Sequence, residues 1–214
     1  MFDFDKASRV QTRLASKLIL RQNIRKVTLV AGADFGYNKK KNKICAAIVS
    51  IKIPEFEIIE ATREVEEVRI PYVPEYLCFR EGPVFIRAFR KLEEKPDLTL
   101  IDGNGIAHPR KMGLASYVGV VLDVPTVGCA KSPFYPFDLP PEYRGAYTPY
   151  RDDKGQTVGF CLRTSFSVRP IFVSPGHRSD FVLAREAVLK CSQYRIPEPL
   201  RAAHRLAKNV FLTE

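Results

Sequence analysis

Three apolar or alternating segments follow one another closely in the first third of the chain, and they constrain the fold more than any other feature. They are TLVAGADFGY (28–37), KICAAIVSI (43–51) and EFEIIEA (55–61), separated only by NKKKN and by a short stretch containing Pro54. Connections of this length join antiparallel strands. The sequence therefore predicts a three-stranded antiparallel meander.

Helices are predicted on both sides of this meander. Over residues 6–22, apolar side chains recur every fourth position with arginines and lysines between them, which is typical of an amphipathic helix. The segment REGPVFIRAFRKLEEK (80–95) has apolar side chains at helical spacing behind Pro83 and a charged opposite face. Because proline is favoured in the first turn of a helix, we predict that this helix begins at about Glu81.

The remaining segments continue an alternation of strands and helices. We expect a strand at 98–102, a helix at 113–122, a strand at 125–131, a loop in 132–157, a hairpin formed by TVGFCLRTS and RPIFVS after the turn DDKG, and helices at about 178–191 and 198–212. Helical crossovers place the later strands parallel to each other. The sequence thus predicts an α/β fold, a mixed sheet flanked by helices, in a single domain over 1–214.

The composition limits the class of binding partner and the cellular compartment that we expect for this protein. Lysine and arginine (34) exceed aspartate and glutamate (24), giving a net charge of +10. Such an excess indicates either a polyanionic partner, nucleic acid above all, or a basic surface that maintains solubility. The five cysteines are widely spaced and mostly have apolar neighbours, so we interpret them as reduced core thiols. Neither a signal sequence nor an apolar run of roughly 18 residues is present, and we expect a cytoplasmic protein without a membrane partner.

Three acidic residues stand where carboxylates are unusual. Asp34 interrupts an apolar strand, Asp102 ends another, and Glu81 begins the predicted helix. A buried carboxylate is costly unless it is paired or bound to a metal, and three oxygen ligands from separate elements suit Mg²⁺. Taken singly, each has an ordinary alternative: a salt bridge for Asp34, the positive end of a helix for Glu81, a turn or cap for Asp102.

The turn after Asp102 has the sequence GNGIAHP. Gly103 and Gly105 allow a tight turn and a close approach of the backbone to a ligand. His108 precedes a proline and therefore lies in an extended stretch. It is either a contact for phosphate or water, or an ordinary turn histidine.

Three further residues carry alternative interpretations. Lys131 directly follows a buried strand and either directs an ammonium at the edge of the sheet or caps it. His177 stands near the start of a helix, where anions are favoured, or else Asp180 three residues later caps that helix end or neutralises it. Tyr72 lies between two prolines and either wedges into a base stack or packs on the surface.

Together these residues resemble the endonuclease V family. The resemblance rests on Asp34 followed two positions later by Gly-Tyr, on PYVPEYLCFREGP, on LIDGNGIAHPRKMGLASYVGVVLDVPTVGCAKS and on a late SPGH, and it covers about residues 6–190. It implies an RNase H-like fold and a monomeric enzyme that uses Mg²⁺, for which Mn²⁺ can substitute. Family members hydrolyse the second phosphodiester bond on the 3′ side of deoxyinosine (hypoxanthine) in DNA and leave 5′-phosphates.

The resemblance also implies a role for each residue. Asp34, Glu81 and Asp102 would hold the metal, with Lys131 and His177 near the scissile phosphate. Tyr72 would be the wedge that fills the gap left by the flipped base, Gly103 and Gly105 would line the hypoxanthine pocket, and His108 would contact the active site or substrate. Asn104 departs from the family, since many relatives have histidine there.

Two other functions share some of these features. An RNase H-like nuclease acting on inosine-containing RNA or on branched DNA would share the acids but not the deoxyinosine lesion pocket. A nucleic-acid-binding module without activity predicts the loss of at least one acid, and all three are present.

Overall fold

A computed structural model describes residues 2–21, 24 and 26–211. The helices are α1 (Phe4–Ala15), α2 (Leu77–Phe89), α3 (Leu114–Leu122), α4 (Phe181–Lys190) and α5 (Glu198–Asn209). The strands are β1 (Leu29–Asn38), β2 (Lys43–Lys52), β3 (Glu57–Glu67), β4 (Leu98–Ile101), β5 (Thr126–Ala130), β6 (Tyr147–Arg151), β7 (Thr157–Leu162) and β8 (Ile171–Pro175).

The strands form one mixed sheet of eight in the order β3-β2-β1-β4-β5-β8-β7-β6. β1, β2 and β3 pair antiparallel, which confirms the predicted meander. β4 is parallel to both β1 and β5, as the helical crossovers require. The predicted α/β class, a mixed sheet flanked by helices, is confirmed.

Side-chain alternation along the strands builds a core on each face of the sheet. In β1, Val30 packs in a cluster that includes side chains of α4 and α5. The next residue, Ala31, packs in a second cluster with α2 and α3. Successive strand residues point to opposite faces, so β1 separates the two layers of helices. All five cysteines are buried free thiols, as predicted.

The boundaries of three predicted helices were wrong. The first helix ends at Ala15. Its predicted end, residue 22, lies outside the described residues. α2 begins at Leu77, four residues before the predicted start, because a 3₁₀ turn at Pro74–Tyr76 leads directly into it. Pro83 therefore lies inside the helix, where it removes one backbone hydrogen bond. The helix predicted from about 178 begins at Phe181, because the carboxylate of its N-cap residue accepts the amide hydrogen of Leu183.

The segment predicted as a loop contains a further strand. β6 pairs antiparallel with β7, and DDKG closes the hairpin between them. Gly155 adopts φ +74° in that turn, a conformation that glycine tolerates. The predicted hairpin of the next two segments is also present as β7 and β8.

Candidate active site

The acids of β1 and β4 meet because these strands are parallel. The pairing of β1 with β4 ends at Ala33 and Ile101, so Asp34 and Asp102 follow at the same edge of the sheet. The amide of Asp102 donates to the carbonyl of Ala33 at 3.0 Å, which fixes the start of the loop. This edge lies at the carboxyl ends of parallel strands, where α/β proteins bind ligands.

Lys131 reaches the same edge from the end of β5. Its Nζ lies 3.5 Å from Oδ2 of Asp34 and forms a hydrogen bond with Oδ2 of Asp102. Burial lowers the pKa of the Lys131 ammonium, but the two carboxylates together raise it above its ordinary value. Lys131 is therefore a fixed cation beside the acids.

Glu81 approaches the acids from α2. It is buried, and the Tyr37 hydroxyl donates to its Oε1. Burial raises the pKa of Glu81 to about 7; the hydrogen bond from Tyr37 opposes this, and Asp102 adds to it. Burial, together with the carboxylate of Asp34, raises the pKa of Asp102 to about 6 despite Lys131. The neighbouring carboxylates are thus close enough to disfavour the ionisation of Glu81 and Asp102.

This chemistry suits a hard divalent cation. Carboxylate oxygens are the preferred ligands of Mg²⁺, and a cation would relieve the repulsion that raises these pKa values. Within the described residues, no three acidic, histidine or cysteine side chains already stand in a metal-binding arrangement. Lys131 instead bridges Asp34 and Asp102, and Glu81 is bonded to Tyr37. The residues fit the ion by their chemistry and by the shared pocket.

One residue of this cluster was not predicted from the sequence. His204 of α5 lies with its Nδ1 2.8 Å from Oδ2 of Asp34. α5 can come this close because Gly32 and Gly36 stand on the same face of β1 as Asp34. A Cβ on Gly32 would lie 2.1 Å from the backbone of Pro199, and one on Gly36 would lie 2.4 Å from the carbonyl of Ala207. Glycines two positions before and after the acid were the available signal, since they mark a close backbone approach.

A pocket of about 280 Å³ adjoins the acids. Its lining includes Asp34, Glu81 and Asp102, together with Gly103 and Asn104 of the loop after β4. The volume is just below the ~300–1,000 Å³ range of small-ligand pockets. Tyr72 also lines it and is 64% exposed, so its ring stands free at the mouth.

Gly105 does not line this pocket. Its amide donates to Oγ of Ser174 at 2.8 Å, and its carbonyl accepts from Gly113 at 3.0 Å. A Cβ there would lie 2.0 Å from the carbonyl oxygen of Pro175. In the structure this glycine allows the loop to pack against the end of β8.

His108 lines the pocket with a neutral ring. Its Nε2 lies 2.9 Å from the carbonyl of Glu75, and its Nδ1 accepts the amide hydrogen of Arg110 at 3.2 Å. Burial lowers its pKa to about 4. Nε2 therefore joins the loop after β4 to the turn that follows Tyr72, and Nδ1 braces the loop internally.

His177 lies at the opposite edge of the sheet. β8 is antiparallel to β5, so Pro175 pairs with Val127 at the start of β5, whereas Lys131 follows its end. The buried His177 ring contacts Asp123 through Nε2 at 3.0 Å and accepts the amide hydrogen of Ile19. The expectation that it lies near the acids was wrong, because the direction of β8 carries it away from them.

Comparison with known proteins agrees with this architecture. The family model for endonuclease V matches residues 12–205. The endonuclease V of Dictyoglomus turgidum is 40% identical over 212 residues, covering 99% of this chain and 92% of that protein. The endonuclease V of Methanothrix thermoacetophila is 42% identical, covering 95% and 90% of the two chains.

Solved structures agree as well. The crystal structure of endonuclease V from Streptomyces avermitilis has a TM-score of 0.94 and 35% identity, covering 100% of this chain and 95% of the other. That of Ciona intestinalis, in complex with DNA containing an inosine followed by a ribo-adenosine, has a TM-score of 0.88 and 26% identity, with 98% of each chain covered.

The protein is therefore an endonuclease, a hydrolase that acts on nucleic acids. More narrowly, the chain belongs to the endonuclease V family. Across the described residues, no helix has the length and apolar character needed to span a bilayer.

Proposed function

We propose that this endonuclease recognises deoxyinosine in DNA and hydrolyses the second phosphodiester bond on its 3′ side with Mg²⁺, leaving a 5′-phosphate. The observation that carries the proposal is that Asp34, Glu81 and Asp102 all line the 280 Å³ pocket. A base held in the pocket places its own strand beside the carboxylates. The Ciona relative crystallised on inosine-containing DNA supports the choice of lesion.

The pocket and Tyr72 account for recognition. An enzyme that reads a base within a duplex must extrude it, and the vacated space is stabilised by a side chain inserted into the stack. Tyr72 is the exposed aromatic at the pocket mouth. Gly103 allows the loop backbone to line the pocket without a side chain, and the neutral His108 anchors that loop to the turn after Tyr72.

The acids and Lys131 account for hydrolysis. Asp34, Glu81 and Asp102 would hold Mg²⁺, which supplies Lewis-acid stabilisation of the phosphate and promotes ionisation of water; Mn²⁺ has the same ligand preferences. His204 holds Oδ2 of Asp34, and the amide of Phe35 donates to Oδ1 at 2.7 Å, so this carboxylate is fixed in orientation. Lys131 offers a positive charge to the phosphate as negative charge develops on it.

The test is cleavage of end-labelled oligonucleotides that carry one inosine, single- and double-stranded, as DNA and as RNA. With Mg²⁺ we expect a nick one nucleotide beyond the bond on the 3′ side of inosine, and none with EDTA or with adenine in its place. Cutting that ignores inosine would contradict the lesion assignment and favour a general nuclease. Cutting of the RNA alone would reassign the substrate to inosine-containing RNA.

A matched pair of variants tests the acids. Asp102→Asn should bind the inosine strand in EDTA about as well as the wild type and lose at least about 100-fold in single-turnover cutting, since Mg²⁺ stabilisation of the transition state is worth several kcal/mol. Asp153→Asn, in the exposed β6–β7 turn, should change neither. An Asp102→Asn protein that cuts normally once bound would refute the metal-ligand role.

A further inference from the structure

A second concave surface lies on the other side of Lys131 from the base pocket. It encloses about 570 Å³ and its walls include Lys131, Phe137, Leu139, Arg163, Arg169 and Arg195; we call it the arginine groove. Along the order of the sheet, the base pocket belongs to the β1 and β4 side and the arginine groove to the β5, β8 and β7 side. Lys131, bonded to Asp102, is the boundary between them.

The arginine groove carries positive charge that is held in place. The guanidinium of Arg195 donates to three carbonyls: from Nε to Arg169 at 2.8 Å, and from Nη2 to Pro170 at 3.2 Å and Lys131 at 3.3 Å. The side chain of Arg169 is exposed beside it. Burial and the neighbouring Arg169 charge lower the pKa of Arg195. A polyanion in the groove would relieve this repulsion.

The groove also presents apolar surface beside these cations. Phe137 is 39% exposed and Leu139 is 66% exposed. Arg163, also in the groove lining, is buried; its Nε donates to the carbonyl of Pro140 at 3.0 Å, and its guanidinium lies 3.8 Å from the exposed carboxylate of Glu142. Cations that follow a backbone, next to apolar and aromatic surface that bases contact, are the features of a site for single-stranded nucleic acid.

We propose that the arginine groove binds the nucleotides of the cut strand that lie 3′ of the scissile bond. The inference rests on the proposed function, which fixes the direction of the strand. With the lesion base in the pocket and the cut on its 3′ side, the strand passes the acids and continues beyond Lys131. The groove is the surface it meets there.

A narrower cleft beside α5 is the alternative path. It also begins at Lys131 and is lined by Arg201, His204 and Arg205. Arg201 is already bonded to Glu198 at 2.6 Å and stacks on the Tyr194 ring. The arginine groove is favoured because it is larger, about 570 Å³ against about 290 Å³, and because exposed Phe137 and Leu139 line it beside its arginines.

The test compares binding of inosine strands whose 3′ arm beyond the cut is about two or about ten nucleotides long, with the 5′ arm held constant. Binding is measured in EDTA by fluorescence anisotropy for the wild type, Arg169→Glu, Arg205→Glu and Arg90→Glu. Arg90 is the control, exposed at the end of α2 remote from the pocket. Thermal unfolding checks that each variant is folded.

We expect Arg169→Glu to weaken binding of the long-arm strand by about 10-fold and of the short-arm strand by less than about 2-fold, and Arg169→Gln to have an intermediate effect. For Arg169→Gln, the slope of the logarithm of the long-arm binding constant against the logarithm of salt concentration should decrease by about one, as expected for the loss of one phosphate contact. Arg90→Glu and Arg205→Glu should keep the wild-type dependence on arm length.

Equal weakening of both strands by Arg169→Glu, or loss of the arm dependence in Arg205→Glu instead, would overturn the assignment to this groove. If instead the binding defect of Arg169→Glu depended on the length of the 5′ arm, the strand would run in the opposite direction, and the assignment would also be overturned. Failure of the wild-type protein to discriminate inosine from adenine is a different outcome, because it refutes the proposed function.

Discussion

Replacing Glu81 with glutamine should stabilise the metal-free protein while abolishing its activity. The folded structure raises the pKa of this buried carboxyl from 4.5 to about 7. Between these values the folded protein binds more protons than the unfolded chain, so stability falls as pH rises through this window. A difference of about 2.5 pH units corresponds to about 3 kcal/mol of destabilisation once Glu81 is fully ionised.

Glutamine removes the charge but retains a carbonyl oxygen that accepts the Tyr37 hydroxyl. At pH 8 in EDTA, the variant should therefore gain up to about 3 kcal/mol, or about 6–12 °C in unfolding temperature for a chain of this size. At pH 5 the gain should fall to below about 1 kcal/mol, because Glu81 is then protonated in the folded protein and the unfolded carboxyl is only partly protonated. Adding Mg²⁺ should stabilise the wild type more than the variant, since the ion relieves the same repulsion.

The assay is thermal unfolding at pH 5 and pH 8, with and without Mg²⁺. Glu186→Gln, at an exposed position of α4, is the control and should leave the unfolding temperature unchanged in all four conditions. A Glu81→Gln protein no more stable than the wild type at pH 8 in EDTA would refute the reasoning. So would a gain of equal size at pH 5, because it would not arise from ionisation.

Three further predictions address the loop, the approach of α5 and the wedge. The pKa of His108 is about 4 in the folded protein against an ordinary 6.5, so the unfolded chain takes up the proton first as the pH falls. The free energy of unfolding should therefore decrease by up to about 3 kcal/mol between pH 6.5 and pH 4. Urea unfolding of His108→Gln should lack this part of the pH dependence, and an unchanged pH dependence would contradict the prediction. Gly32→Ala should cost at least about 2 kcal/mol in urea unfolding and reduce cutting, since its Cβ would meet Pro199 and displace α5; wild-type stability would disprove the close approach. Tyr72→Ala should leave the unfolding temperature unchanged because the ring is exposed, and should reduce cutting of double-stranded inosine DNA more than single-stranded; equal losses would argue against a wedge.

Much of the central fold and the acidic part of the site could be predicted from local sequence. Apolar runs gave the meander and the strands on which Asp34 and Asp102 stand, because strand periodicity is a property of neighbouring residues. Parallel pairing then placed both acids at one edge. The start of α2 was predicted less well, because Pro83 is a typical first-turn residue yet here lies within the helix. β6 was missed because prolines and tyrosines obscure its alternation.

What the sequence by itself determined is the set of acids, the glycine turn and the motifs that identify the family. What only the tertiary structure decided is which residues join them. His204 reaches Asp34 across 170 positions, and His177 is carried to the opposite edge by the antiparallel course of β8. Gly105 packs against the backbone of Ser174 and Pro175 in β8. Local periodicity specifies strands and helices, whereas the close approach of distant segments depends on packing that no single stretch of sequence contains.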